Sequence, residues 1–151
     1  MDNKTYDFKR IGTNETEMIK ELFSGVFMSE PWNDDWSDSE QLDLYLSDLI
    51  DQNNSLTYGL FENGKLIGVS MGHIKHWYSG TEYYIEELCI RTDKQGSGTG
   101  TFFLKEIEKA IKGLGIVRIF LQTENNVPAY RFYQKNGFRE LTEHVSFTKQ
   151  L

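Results

Sequence analysis

The stretch Gln95-Gly96-Ser97-Gly98-Thr99-Gly100 limits what this chain can become more than any other. It falls between a strand-like run, Glu82 to Ile90, and a helical pattern in which Phe103, Ile107, Ala110, Ile111 and Leu114 recur on one face. Glycine lets the backbone approach a ligand closely. The first amides of a helix have no partner inside it, and with the helix dipole they favour an anion such as phosphate. Such a turn is either a tight structural connection or a phosphate cradle. It is not the dinucleotide-binding fingerprint, because Thr101 stands where the third glycine belongs, and it is not a P-loop, because no Gly-Lys-Ser/Thr follows.

The rest of the chain supplies a mixed α/β frame for this turn. Tyr6, Phe8 and Ile11 suggest a first strand, and Asn14 with Glu17 reads as a capping box before Met18, Ile19, Leu22, Phe23, Val26 and Phe27 at helical spacing. Pro31 breaks that helix. Ser37 or Ser39 is the expected cap of a second helix that buries Leu42, Tyr45, Leu46, Leu49 and Ile50. Leu56 to Phe61 and Lys65 to His73 flank Glu62-Asn63-Gly64, a hairpin turn. After the glycine turn and its helix, which Gly113 and Gly115 stop, come a strand at Val117 to Thr123 and a short helix opened by Pro128. One or two strands between Phe138 and Lys149 are expected to finish the chain. The predicted order is β-α-α-β-β-β-α-β-α-β, a single domain spanning residues 1–151.

Charge is unevenly spread. Between Glu21 and Glu62 there are ten acidic residues and no Lys, Arg or His, while the remainder holds 16 basic and 13 acidic residues. A nucleic-acid binder is normally basic, so no nucleic-acid partner is expected. No apolar run is long enough for a membrane span, and MDNKTYDFKR has no signal-peptide core, so no membrane partner is expected either. The acidic third is a solvated face or a surface for a cationic partner. The single cysteine, Cys89, excludes a disulfide framework and a multi-cysteine zinc site, and makes a reducing, cytoplasmic compartment the expectation. His73 and His76 lie three apart on a strand, face opposite sides and do not suggest a metal pair.

Two motifs in order carry a family resemblance. Gln95 to Gly100 resembles the pyrophosphate-binding motif of the GNAT superfamily of acetyl-coenzyme A N-acetyltransferases, a Gln/Arg-x-x-Gly-x-Gly/Ala pattern after a central strand. Downstream, Asn126-Val127-Pro128-Ala129-Tyr130-Arg131-Phe132-Tyr133-Gln134-Lys135-Asn136-Gly137-Phe138 is similar to that family's Asn-x-x-Ala-x-x-x-Tyr-x-x-x-Gly-Phe signature. Thr92 stands where many members carry proline, a difference of loop stiffness rather than chemistry. The resemblance implies a twisted mixed sheet with splayed central parallel strands, flanked by about four helices. It implies acetyl-CoA as co-substrate and no metal. Members often dimerise through the later strands.

The site residues follow from that resemblance. Leu88, Cys89 and Ile90 would offer the strand edge to the pantetheine arm in the manner of strand addition. Gln95, Gly96, Ser97, Gly98, Thr99 and Gly100 would hold the pyrophosphate, and Asn126 would bond the arm. Cys89 is read as a small buried hydrophobe, since the family transfers its acyl group directly. Direct transfer needs an amine freed of its proton and a donor for the leaving thiolate. Tyr133 matches the family's proton donor. Glu86 is the expected base, acting through water, with Glu87 as the alternate. On a regular strand the two point to opposite faces, and Glu86 shares its face with Tyr84, Leu88 and Ile90. The acceptor side is expected around Trp32, Asp34, Asp35, Trp36 and Tyr84, where rings beside carboxylates suit a small cationic amine. That side resembles aminoglycoside N-acetyltransferases, and a polyamine would satisfy the same chemistry. A peptide amino group, or a sensor that binds the coenzyme without turnover, is the alternative.

Overall fold

The computed structural model describes residues 5–151. One five-stranded sheet runs in the order β1 (Tyr6–Ile11), β2 (Ser55–Glu62), β3 (Lys65–Trp77), β4 (Gly80–Ile90) and β5 (Arg118–Leu121). The first four strands pair antiparallel and β4 pairs parallel to β5. Among the described residues there are four α-helices: α1 (Thr16–Phe27), α2 (Ser39–Ile50), α3 (Thr99–Lys112) and α4 (Pro128–Lys135). This is the mixed α+β frame that the sequence predicts. No helix of the described residues is long and apolar enough to cross a membrane.

Apolar spacing decides the layers. Ile19, Leu22, Phe23, Val26 and Phe27 of α1 and Leu42, Leu46, Leu49 and Ile50 of α2 bury against one face of the sheet, with Val69, Met71 and Cys89. On the other face Phe103, Ile107 and Ile111 of α3 meet Leu56, Tyr58, Leu60, Ile67, Tyr83 and Ile85. The fully buried Tyr83 keeps its hydroxyl satisfied by donating to the Leu56 carbonyl at 2.9 Å, with Ser70 Oγ 2.8 Å away.

Local chemistry shifts several expected boundaries. The box before α1 is closed by Gly12 and Glu15, with the Gly12 N–H donating to Glu15 Oε2 at 2.9 Å, and a 3₁₀ turn occupies Thr13–Glu15. Asp38, not a serine, caps α2 by accepting the Gln41 N–H at 3.1 Å; an ionised carboxylate serves an N-cap as well as a hydroxyl. Asn63 and Gly64 both have positive φ, as a two-residue hairpin turn requires. The strands expected after Phe138 do not form. Ser146 approaches Gln122 and His144 lies near Phe120, yet no ladder joins this segment to β5, and Val145 and Phe147 are 74% and 93% exposed. β5 itself has only four residues, against the longer strand expected from Val117 to Thr123, and so offers little edge for pairing.

Two irregularities in β4 matter most. Its pairing to β5 covers only Glu82 to Ile85, opposite Arg118 to Leu121, so Glu86 to Ile90 carry no strand on that side. This is the splay between the central parallel strands. On the other side the register jumps: Met71 faces Glu87 while Gly72 faces Ile85, which leaves Glu86 as the extra residue of a bulge. The alternation of side chains therefore inverts at Glu86. Leu88 and Ile90 join Tyr83 and Ile85 beneath α3 and do not share the face of Tyr84, whereas Cys89 turns to the α1–α2 core.

Gly72 makes the bulge possible. A Cβ there would strike the Tyr84 carbonyl oxygen and stand 2.8 Å from the Tyr83 ring. Gly72→Ala is expected to lose about 2 kcal/mol, seen as a lower urea midpoint at constant slope. Gly25→Ala, in the last turn of α1 where a Cβ meets nothing within 4 Å, is expected to gain up to about 0.5 kcal/mol in the same measurement.

Candidate active site

The glycine turn is built to leave its amides free. Gly96 and Gly98 adopt φ of +76° and +86°, and nothing lies within 4 Å of a Cβ at either. Gly98 opens α3 with no side-chain cap. No acceptor among the described residues takes the N–H groups of Gly96 to Thr101; the first helical bond is from Phe102 N–H to the Gly98 carbonyl at 3.0 Å. The turn is braced from behind. Gln95 Nε2 donates to the Ile90 carbonyl at 2.9 Å, Ser97 Oγ donates to the Lys94 carbonyl at 2.8 Å, and Thr99 Oγ1 sits 3.0 Å from both Ser97 Oγ and Tyr6 Oη. The nearby cations are already paired, Lys94 with Glu62 at 2.7 Å and Arg91 with Asp93 at 2.7 Å. An anion at this turn is therefore held by backbone amides and the helix terminus. The free amides and the unpaired edge of β4 fit an extended ligand with a phosphate end.

Gly100 serves packing instead. A Cβ there would come 3.0 Å from the Phe132 ring, so the glycine lets α4 settle on the first turn of α3. Tyr133 lies between Phe132 and Phe138, with ring centroids 5.3 Å and 5.2 Å away. Burial pushes its phenol above the usual range, and the negative charge of Glu87 adds to the effect, so the hydroxyl keeps its proton at neutral pH. Asn126 is exposed in the connection that leads to α4. Cys89 is buried, and burial pushes its thiol upward, reinforced by Glu87. A thiol in that setting is a poor nucleophile.

On the side of the bulge lies a cavity of about 320 Å³ lined in part by Tyr45, Asp48, Gly72, His73 and Glu86. Glu86 is exposed to it. Glu87 is half-buried and accepts a 2.6 Å bond from the Tyr45 hydroxyl. Burial raises its carboxyl above the usual range, the Tyr45 bond opposes this, and the charges of Asp34 and Glu86 add to the rise. Tyr84 stacks on His73 with centroids 5.0 Å apart.

The loop between α1 and α2 contributes unequally. Trp36 stacks on Tyr45 at 5.1 Å and 8°, and Trp32 packs on Phe27 at 5.4 Å, so both rings plug the helices while remaining partly exposed. The Trp36 indole N–H is buried without an acceptor. Asp34 is exposed, and its charge is felt at both Tyr45 and Glu87. Asp35 instead accepts the Ser37 N–H at 3.0 Å, which folds the loop, and the Ser37 side chain together with that N–H holds its carboxyl below the usual range. Tyr45 was legible in the sequence only as a core position of α2. Asp48 carried no signal beyond its charge. The signal for the bulge was Gly72, a lone glycine inside a strand pattern.

Fold and site together present an open strand edge, a turn of free amides and an acidic cavity at the bulge. Residues 16–138 match the model of the acetyltransferase (GNAT) family. The chain belongs to that family. No curated protein sequence matches it. Among solved structures it is similar to an aminoglycoside acetyltransferase from an uncultured soil metagenomic sample in complex with sisomicin, with TM-score 0.74 and 22% identity over 97% of this chain and 96% of that one. It is also similar to aminoglycoside N-acetyltransferase AAC(6′)-Iy in complex with CoA, with TM-score 0.72 and 17% identity over 98% and 96%. A possible acetyltransferase from Clostridium difficile 630 superposes with TM-score 0.80 at 13% identity over 97% and 98%. At these identities the likeness is one of fold.

The raised carboxyl of Glu87 has a consequence for stability. The fold favours its protonated form, so its favourable contribution is present below the ordinary carboxylate range and is lost as pH rises through the folded value. Glu87→Gln, neutral at every pH, is expected to raise the thermal midpoint relative to the parent near about pH 8 and to give no gain near about pH 4. Thermal melts of both proteins across that range check the sign.

Proposed function

We propose that this chain is an N-acetyltransferase that passes an acetyl group from acetyl-CoA directly to a primary amine of a small cationic acceptor, an aminoglycoside or a polyamine. One observation carries the reading: β4 has a free edge and a free-amide turn at one end, and an acidic, aromatic cavity at its bulge. The edge at Leu88, Cys89 and Ile90 takes the pantetheine arm as an added strand. The free N–H groups of Gly96, Ser97, Gly98, Thr99 and Gly100 take the diphosphate, Gln95 serves by bracing the turn through its side chain, and the Asn126 side chain bonds the arm. When bound, acetyl-CoA supplies an activated acyl group on a thiol leaving group.

The chain's own residues manage the protons. Glu86 accepts, through water, the proton that the acceptor ammonium must lose. Tyr133 Oη holds a proton for the departing sulfur. Cys89 takes no covalent part. Asp34, Asp35, Trp32, Trp36 and Tyr84 form the acceptor's surroundings, where carboxylates and ring faces attract a cation. The sisomicin bound by the soil-metagenome neighbour is an acceptor of this chemistry. The exposed Val145 and Phe147 support a homodimer through the later part of the chain, and the buried free thiol of Cys89 suits a reducing cytoplasm.

Thiol release from acetyl-CoA in the presence of sisomicin, spermidine or a peptide amine tests the proposal. Release is expected with the first two and not with the peptide; release with the peptide alone contradicts it. Tyr133→Phe and Glu86→Gln are each expected to lower kcat by about 10²-fold, leaving the Kd of acetyl-CoA measured by calorimetry unchanged. The KM of the polycationic acceptor is expected to rise as salt shortens the Debye length from ~14 Å to ~6 Å, while that of acetyl-CoA rises less.

A further inference from the structure

Tyr45 belongs to α2 in the acidic third, and its contacts exceed those of a core residue. Its ring lies flat on Trp36 and meets Phe23 at 6.0 Å. Its hydroxyl reaches Glu87 Oε1 at 2.6 Å, and its side chain lines the cavity that also holds Glu86 and Asp48. In an unbroken strand Glu87 would point away from Glu86. The bulge opposite Gly72 cancels that alternation and brings both carboxylates toward Tyr45. Glu87 Oε2 receives no hydrogen bond from the described residues and is not sealed from solvent.

We infer that Tyr45, which lines the acceptor cavity, is a positioning residue that fixes the neighbouring Glu87 carboxylate, leaving its second oxygen to pair with a positive group of the acceptor beside the reacting amine. This rests on the acceptor site proposed above and narrows its substrate class to amines with a second positive charge close to the first. The groups that face Glu87 are Tyr45 from α2, Asp34 from the α1–α2 loop, Glu86 and Cys89 from β4, and Tyr133 from α4. None of them is a cation, so a bound ammonium is the partner this carboxylate lacks. The roles then divide: Glu86 takes a proton during turnover, and Glu87 binds charge without changing protonation.

Tyr45→Phe keeps the ring and removes the bond. It is expected to raise the KM for spermidine about tenfold, more at acid than at alkaline pH, because Glu87 then protonates more readily. The kcat, the KM of acetyl-CoA and the KM of a monoamine acceptor are expected to stay within about twofold. Glu87→Gln is expected to mimic the effect, and the double variant to add nothing further. In the free protein, ¹³C titration of the Glu87 carboxyl is expected to move upward in Tyr45→Phe. An unmoved spermidine KM, additive variants or an unmoved titration would overturn the inference. If the parent protein acetylates no amine at all, the proposed function fails instead, and the carboxyl titration with calorimetric spermidine binding still decides the role of Tyr45.

Discussion

The organisation of this molecule depends on a strand that is paired fully on one side and only in part on the other. β4 is bonded along its length to β3, but its contact with β5 ends at Ile85. The backbone groups of Glu86 to Ile90 on that side meet no neighbouring strand, and an added strand would pair them. The glycine turn follows, with its own amides unspent. Unspent groups therefore lie on both sides of the paired 3₁₀ turn Thr92–Lys94, along β4 from Glu86 and again from Gly96 to the start of α3. An extended ligand with amides along its length and a phosphate at its end matches these groups, and that match underlies the proposed coenzyme site.

The bulge at Glu86 is the second dependence. It inverts the side-chain alternation within β4, so the residues before and after it serve different layers. Leu88 and Ile90 close the core beneath α3, and Cys89 closes the core under α1 and α2. Glu86 lines the cavity and Glu87 lies beside it, bonded to Tyr45. The distortion is tolerated because Gly72 has no side chain to collide with the displaced backbone of Tyr84. A single missing Cβ on β3 thus lets both carboxylates turn toward Tyr45, which is packed on Trp36 and reaches across from α2 to bond Glu87.

Much of this was legible in the residues. The helices α1, α2 and α3 follow from apolar spacing, the hairpin from Asn63-Gly64, and the anion-binding turn from its glycines and position. Residues whose roles are carried by backbone, such as Gly96 and Gly98, are the easiest to read, because few other reasons place glycine there. What the sequence did not disclose depends on tertiary register. An alternation argument assumes a regular pleat, so it set Glu86 and Glu87 on opposite faces and Leu88 beside Tyr84; one inserted residue undoes it. Capping was displaced by one or two positions, because Asp38 competes with its neighbouring serines on equal terms. One or two final strands were expected between Phe138 and Lys149, yet a strand needs an edge to pair with, and β5 provides only four residues.

The central claim is that free backbone amides at the start of α3, beyond the open edge of β4, hold the diphosphate of an acyl carrier. Amide chemical-shift mapping with CoA, and with pantetheine lacking the diphosphate, tests it most directly. The account expects CoA to shift the amides of Gly96 to Thr101 together with those of Leu88 to Ile90, and pantetheine to shift only the latter, with affinity lower by about 100-fold or more. CoA binding that leaves the amides from Gly96 to Thr101 unmoved would contradict it.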